Sequence, residues 1–229
     1  MLTKLNPLII AVLSIPIFIA NLVFPTAYDW RYMVLSALSS PNDNPQVYLL
    51  PSIGMTIAGV LMIPFLGYYQ KRLGKICRGS TGVGTFFMLV AIFGMISVST
   101  ISQAVTGVKA LHEILAVLGF LGVILAGSFY GCPILKDRVK GARQFDMRLY
   151  WSGMLLLWLP IIGLIVSSLY IAIIKPPWGY TGIQWITSYQ VPAVMSLAFW
   201  EWLMFIGIIL FIVLLAIMVP ENVQPHNHY

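Results

Sequence analysis

The chain has 229 residues, of which 59% are hydrophobic and only 9% charged, with a formal net charge of +6. So few charges cannot coat a soluble globule of this length. The positive balance does not point to nucleic acid either, because no basic motif here is interleaved with aromatics.

Six apolar runs fill most of the sequence, at about 8–24, 53–69, 85–102, 111–130, 151–174 and 193–219. A hydrocarbon core of about 30 Å needs about 20 residues of helix. No charge interrupts the middle of any run, and the alternation of a membrane β-barrel is not seen. The expectation is an all-α polytopic protein: one domain over 1–229, folded as a six-transmembrane-helix bundle.

The first run follows Lys4 and precedes a small-residue site near Ala27, as in a signal peptide. At about 17 residues it is long for that role and is read as a true span. Pro16 and Asn21 lie within it. The outer loop 25–52 follows. In it Trp30, Met33, Val34, Ala37 and Leu38 repeat at helical spacing, which predicts a short interfacial helix over about 29–38, capped by Asp29. Ser39-Ser40-Pro41-Asn42-Asp43-Asn44-Pro45 then forms a dense turn signal.

Span 2 carries a small-residue stripe, Gly54, Ala58 and Gly59. Span 3 ends in Ser97, Ser99, Thr100 and Ser102. Span 4 holds Gly127 and Gly131 in a GxxxG, read as packing within the chain rather than dimerisation. Span 5 contains Pro160. In the last outer loop Trp178, Tyr180, Trp185 and Tyr189 suit the headgroup level.

Charge placement sets the expected orientation. Lys4, Lys71, Arg72, Lys75, Arg78, Lys136, Arg138, Lys140, Arg143 and Arg148, ten of the thirteen basic residues, fall on one side of a six-span layout. The positive-inside rule puts that side, and both termini, in the cytoplasm. The basic loops are then partners for anionic lipid headgroups. Cys77 and Cys132 sit at the same boundary, where a disulfide is not expected. Palmitoylation is the alternative to two inert thiols.

Ionisable residues near a span are the functional candidates. His112 and Glu113 open span 4, and Glu201 lies early in span 6 between Trp200 and Trp202. His112 is 18 residues before Tyr130, and Glu201 is 18 before Val219. At about 1.5 Å per residue each lies about 27 Å from the inner end of its span, at one depth near the outer surface. The expected site is a lipid-headgroup pocket of Asp29, Arg31, Ser36, Asn42, Asp43, Asn44, His112 and Glu201. His112 and Glu201 are also the candidates for any catalysis, with the imidazole as acid or base. Alternatively Glu201 pairs with Arg31, Lys109 or His112 and merely locks helix ends. No cofactor is expected, since only His112 could ligate a haem inside the membrane. No metal is expected either: His226 and His228 form a weak HxH pair in the tail, and no spacing unites His112, Glu201 and Asp43 as ligands. Ser36, Ser39 and Ser40 occur without a GxSxG. No chain of acids crosses the core as ion transport would require.

These residues resemble the Frag1/DRAM/Sfk1 superfamily of six-span membrane proteins. Leu35-Ser36-Ala37-Leu38-Ser39 followed by Asn44-Pro45 is similar to its Ile-Ser-x-x-Gly and polar Pro-containing turn. Leu111 to Ala116 with Phe120 is similar to a His-x-x-Gly-Ala-x-x-x-Phe pattern, and Glu201-Trp202 to a Glu-Trp in the last span. Ser39 and Leu115 stand where the family has Gly, and Ala37 where an acid is common. The resemblance implies a role with membrane lipid and carries no catalytic mechanism. The expected function is therefore a non-catalytic protein that binds or organises lipid from the outer-leaflet side. A lipid-modifying enzyme using His112 and Glu201 and an accessory subunit of a larger membrane complex are the alternatives.

Overall fold

A computed structural model describes residues 5–101, 109–174, 192–220 and 222–224. The side chains of Lys109, Ala110 and Ile174 lie outside that description. So do Lys4, Ser102, Lys175, Trp178, Tyr180, Trp185, Tyr189, His226 and His228.

Six helices carry the fold: α1 (Leu5–Leu22), α2 (Leu49–Leu73), α3 (Arg78–Thr100), α4 (Lys109–Val139), α5 (Met147–Ile174) and α6 (Leu197–Met218). All six are long and apolar enough to cross a membrane. The described residues include no strand. Large side chains such as Phe18, Phe86, Phe93, Leu155 and Ile165 point outward on the helix flanks. In water such a surface would aggregate; around a membrane bundle it is the lipid-facing belt. The helices thus indicate an integral, multi-pass membrane protein.

Pro16, Pro64, Pro133 and Pro160 all lie inside helices. Membrane helices tolerate them because neighbouring elements satisfy the freed carbonyls. α4 runs on to Val139, nine residues past the predicted Tyr130, and its last turn carries Lys136 and Arg138. Hydropathy stops at the bilayer edge while the helix continues beyond it.

Helices consecutive in sequence are neighbours in space: α1 packs on α2, α2 on α3, α3 most extensively on α4, and α5 on α6. α4 meets α5 more lightly, and α1 and α6 come together only thinly. Glycine sets the closest approaches. A Cβ on Gly94 would meet the Gly119 backbone at 2.7 Å, and one on Gly122 would meet the Ala91 nitrogen at 2.7 Å. These small residues let α3 and α4 touch backbone to backbone. In the GxxxG of α4, Gly127 receives the Phe211 ring and Gly131 the Tyr150 ring, so both glycines are used inside the chain. Thr56 and Ser99 hydroxyls join α2 to α3 at 2.8 Å.

The α2–α3 turn, the α4–α5 turn and the C-terminal tail gather at one end, called here the termini end. Nine basic residues from Lys71 to Arg148 lie in or beside those turns. The tail is strapped down there. Tyr68 donates to the Val219 carbonyl, Arg72 to the Pro220 carbonyl and Lys75 to the Val223 carbonyl. Gln144 and Gln224 exchange a pair of hydrogen bonds, and Val223 is buried. Asp137, which accepts from Gln144, braces the same corner.

At the opposite end, the loop end, the chain departs from the predicted helix over 29–38. Asp29 starts a single turn, its carbonyl accepting from Tyr32 and Met33. The Tyr28 hydroxyl then faces the Met33 and Val34 carbonyls at 2.9 Å. With those carbonyls engaged, the helix cannot propagate, and Val34 turns extended. A short 3₁₀ helix follows at Leu35–Ser39, with Leu35, Ala37 and Leu38 buried. Trp30 of the predicted apolar face is exposed and stacks on Phe199.

Candidate functional site

The roof of the loop end is built from Tyr28, Trp202 and Asn44. Trp202 donates its indole N–H toward the Tyr28 hydroxyl and the Met33 carbonyl, both at 3.1 Å. Burial pushes the Tyr28 phenol well above its ordinary range, so it stays a neutral hydrogen-bonding group. Asn44 is fully buried, and its amide donates to the Ala20 carbonyl at 3.1 Å and the Leu38 carbonyl at 3.2 Å. It satisfies the end of α1 and pins the 3₁₀ helix over it.

Beneath this roof a cleft opens between α1, α2, α3, α4 and α6. It encloses about 1200 Å³ of empty space counted to its mouth, of which about 120 Å³ admits the centre of a water molecule. The space is therefore narrow as well as long. Ile9, Leu13, Met62, Val123 and Ile208 are among its apolar walls. The polar exceptions at the loop end are Ser36, Ser39, His112 and Glu201.

Each polar residue has a local reason for its place. Glu201 lies in the first turns of α6, and its carboxyl group faces the backbone N–H groups of Leu35 and Ser36. Those groups open the 3₁₀ helix and lack partners within it. Ser39 donates to the Ser36 carbonyl at 3.1 Å. His112 is 4% exposed, and its Nδ1 lies 2.7 Å from the Ile101 carbonyl. A carbonyl only accepts, so Nδ1 carries the proton, and in the neutral ring Nε2 is the acceptor.

Of the eight residues predicted for the headgroup pocket, Ser36, His112 and Glu201 line this one cleft. The others do not. Asp29 and Arg31 pair with each other at 2.8 Å on the surface. That guanidinium holds the Asp29 carboxyl below its usual range. Arg31 is thus the partner of Asp29, not of Glu201. Asn42 and Asp43 are exposed on the turn, whereas Asn44 is a structural anchor. Glu113 is exposed beside the buried His112. Among the described residues no hydrogen bond or ion pair joins His112 to Glu201. No three His, Cys, Asp or Glu side chains among them gather as metal ligands.

Ser39 enters the cleft although the sequence marked it only as one of three available serines. Asn6 was not anticipated. It is 7% exposed, lines the cleft from the first turn of α1, and its Oδ1 has no partner among the described residues. Its signal was slight: one amide at the start of an apolar run.

Scans against protein-family models, curated proteins and solved structures find no match to this chain.

Proposed function

We propose that this protein binds a membrane lipid, holding an acyl chain in the cleft and the headgroup at Ser36, Ser39, His112 and Glu201, without transforming it. The observation that carries this reading is the cleft itself, long, narrow and apolar, with four polar side chains at its loop end and Asn6 at the other. Ligand sites of this kind pair apolar walls with a few placed polar groups. A carboxylate accepting two N–H bonds retains acceptor sites for a headgroup hydroxyl or amine. The basic residues of the other end favour a cytoplasmic position for both termini. The loop end then meets the outer leaflet. The motif resemblance to the Frag1/DRAM/Sfk1 superfamily agrees with a lipid role.

The lipid-modifying alternative keeps one point in its favour, a lone-pair Nε2 on His112 in the same cleft as Glu201. Against it, Glu201 faces backbone amides and makes no bond to His112. An accessory-subunit role has no separate observation behind it.

Native mass spectrometry of the purified protein tests the proposal. Retained lipid is expected in the wild type, and reduced retention in Glu201→Gln and His112→Ala. No retained lipid, with both variants behaving like wild type, overturns it.

A further inference from the structure

The cleft needs a way in. Its loop end is covered by the 3₁₀ helix, whose Leu35 and Leu38 are buried against Ile17 and Ala20. Tyr28, Trp202 and Asn44 lock that cover in place. At the termini end the tail strap keeps Val223 buried, its carbonyl tied to Lys75 just past α2. The side of the bundle differs. Each pair of sequence neighbours packs, but the first and last helices are thinly joined.

Along that seam runs a second depression. It holds about 850 Å³ of empty space and is lined by Ser14, Phe18, Asn21, Trp202, Ile206 and Leu210, among others. Phe18, Ile206 and Leu210 are exposed at 64%, 46% and 43%. At this height on a membrane-spanning bundle they face hydrocarbon. Ile17, Phe205 and Ile209 line both the seam and the cleft. These three side chains stand between the bilayer-facing groove and the cleft. Asn21 and the Trp202 indole give the groove polar atoms at its loop end, the same end as Glu201, and Ser14 adds a hydroxyl about two turns below.

We infer that the α1–α6 seam is a lateral portal through which a hydrocarbon chain of a bilayer glycerolipid passes from the membrane into the cleft, with Ile17, Phe205 and Ile209 as its gate. The inference rests on the lipid-binding reading and adds the route and the ligand class: a lipid already resident in the bilayer, not a solute from water. Opening the gate needs only rotamer changes of three side chains and a small separation of two helices that share little contact. Such motions leave the close glycine contacts of α3 with α4 untouched.

The test closes the seam after folding. Ser14 lies seven residues from Asn21, and Leu210 eight from Trp202. At about 1.5 Å per residue they lie about 10 and about 12 Å below Asn21 and Trp202, at similar depth. Ser14→Cys with Leu210→Cys, in a Cys77→Ser, Cys132→Ser background, is bridged by a short bis-methanethiosulfonate that a reductant removes. Protein loaded from palmitoyl-oleoyl phosphatidylethanolamine and phosphatidylglycerol vesicles (3:1) is mixed with vesicles of the chain-deuterated lipids. Exchange of retained lipid is read by native mass spectrometry. Bridging is expected to slow exchange at least about tenfold, with recovery on reduction. Lipid retained but exchanging at an unchanged rate overturns the portal and leaves the lipid site standing. No lipid retained before bridging overturns the site, and the portal with it.

Discussion

The two ends of the bundle use their polar side chains in opposite directions. At the termini end Tyr68, Arg72, Lys75 and Gln144 reach outward from the helices to carbonyls of the tail. Their effect is to finish the structure. At the loop end Tyr28, Trp202 and the Asn44 amide N–H groups are bonded to the backbone too, but Ser36, Ser39, His112 and Glu201 line unfilled space. Polar atoms in a membrane protein are expensive unless paired or used. Apart from Asn6, which lines the cleft from the termini end, the polar groups of one end are used for closure and those of the other face the cleft.

Substitutions that break this contrast have graded effects. The largest is expected from Asn44→Ala, which strips two buried carbonyls of their donor and lifts the roof. It should destabilise the protein by about 3 kcal/mol, seen as a lowered unfolding midpoint in detergent. Arg72→Met is next. It removes the donor to Tyr68 and to the Pro220 carbonyl and should cost about 1–2 kcal/mol. Hydrogen exchange should rise locally at 219–224 and not at the loop end. An equal rise at both ends would erase the distinction between them.

Glu201→Gln should be milder for folding, because the amide oxygen still accepts from Leu35 and Ser36. Affinity for the retained lipid should nonetheless fall about tenfold, as an oxygen of the carboxyl group is replaced by an amide N–H donor. A variant that loses stability but keeps its lipid would assign Glu201 to the scaffold. The smallest effect belongs to Asp29→Asn, since exposed pairs are screened by water and salt. The Asp29 carboxyl is held below its ordinary range, so its contribution is present above the unfolded-state value and fades as pH falls through the folded one. Asp29→Asn should therefore lower the unfolding midpoint slightly at neutral pH, and acid titration should bring the variant and the wild type together as pH falls to below the usual carboxylate range.

The six helices were legible because their signal is bulk chemistry: a bilayer demands long apolar runs, and nothing else in the chain competes. The extension of α4 to Val139 was not legible, because past the hydrocarbon edge a helix carries Lys136 and Arg138 like any solvated segment. Of the residues lining the cleft, His112 and Glu201 stood out in the sequence because ionisable groups are rare near spans. The loop residues were read for type and not for direction. Asp29, Arg31, Asn42, Asp43 and Asn44 are all polar in one stretch. Whether each serves a ligand, a neighbour or the backbone depends on contacts such as Asn44 with Ala20, 24 residues away. Likewise the helix over 29–38 has the right periodicity, but Trp202, from the far end of the chain, helps Tyr28 interrupt it. Local spacing carries no information about such partners.

The seam between α1 and α6 has a consequence for how the protein is made. Every strong joint links helices that leave the ribosome one after another, so each new span can settle against the one already inserted. The seam alone unites the first span with the last. It can form only after synthesis of α6, and the strap that follows, Val219 to Gln224, secures α6 at its far end. A chain cut before Val219 should still insert its helices in order, yet leave the last span untied from α2 and from the α4–α5 turn while the seam with the first span waits to close.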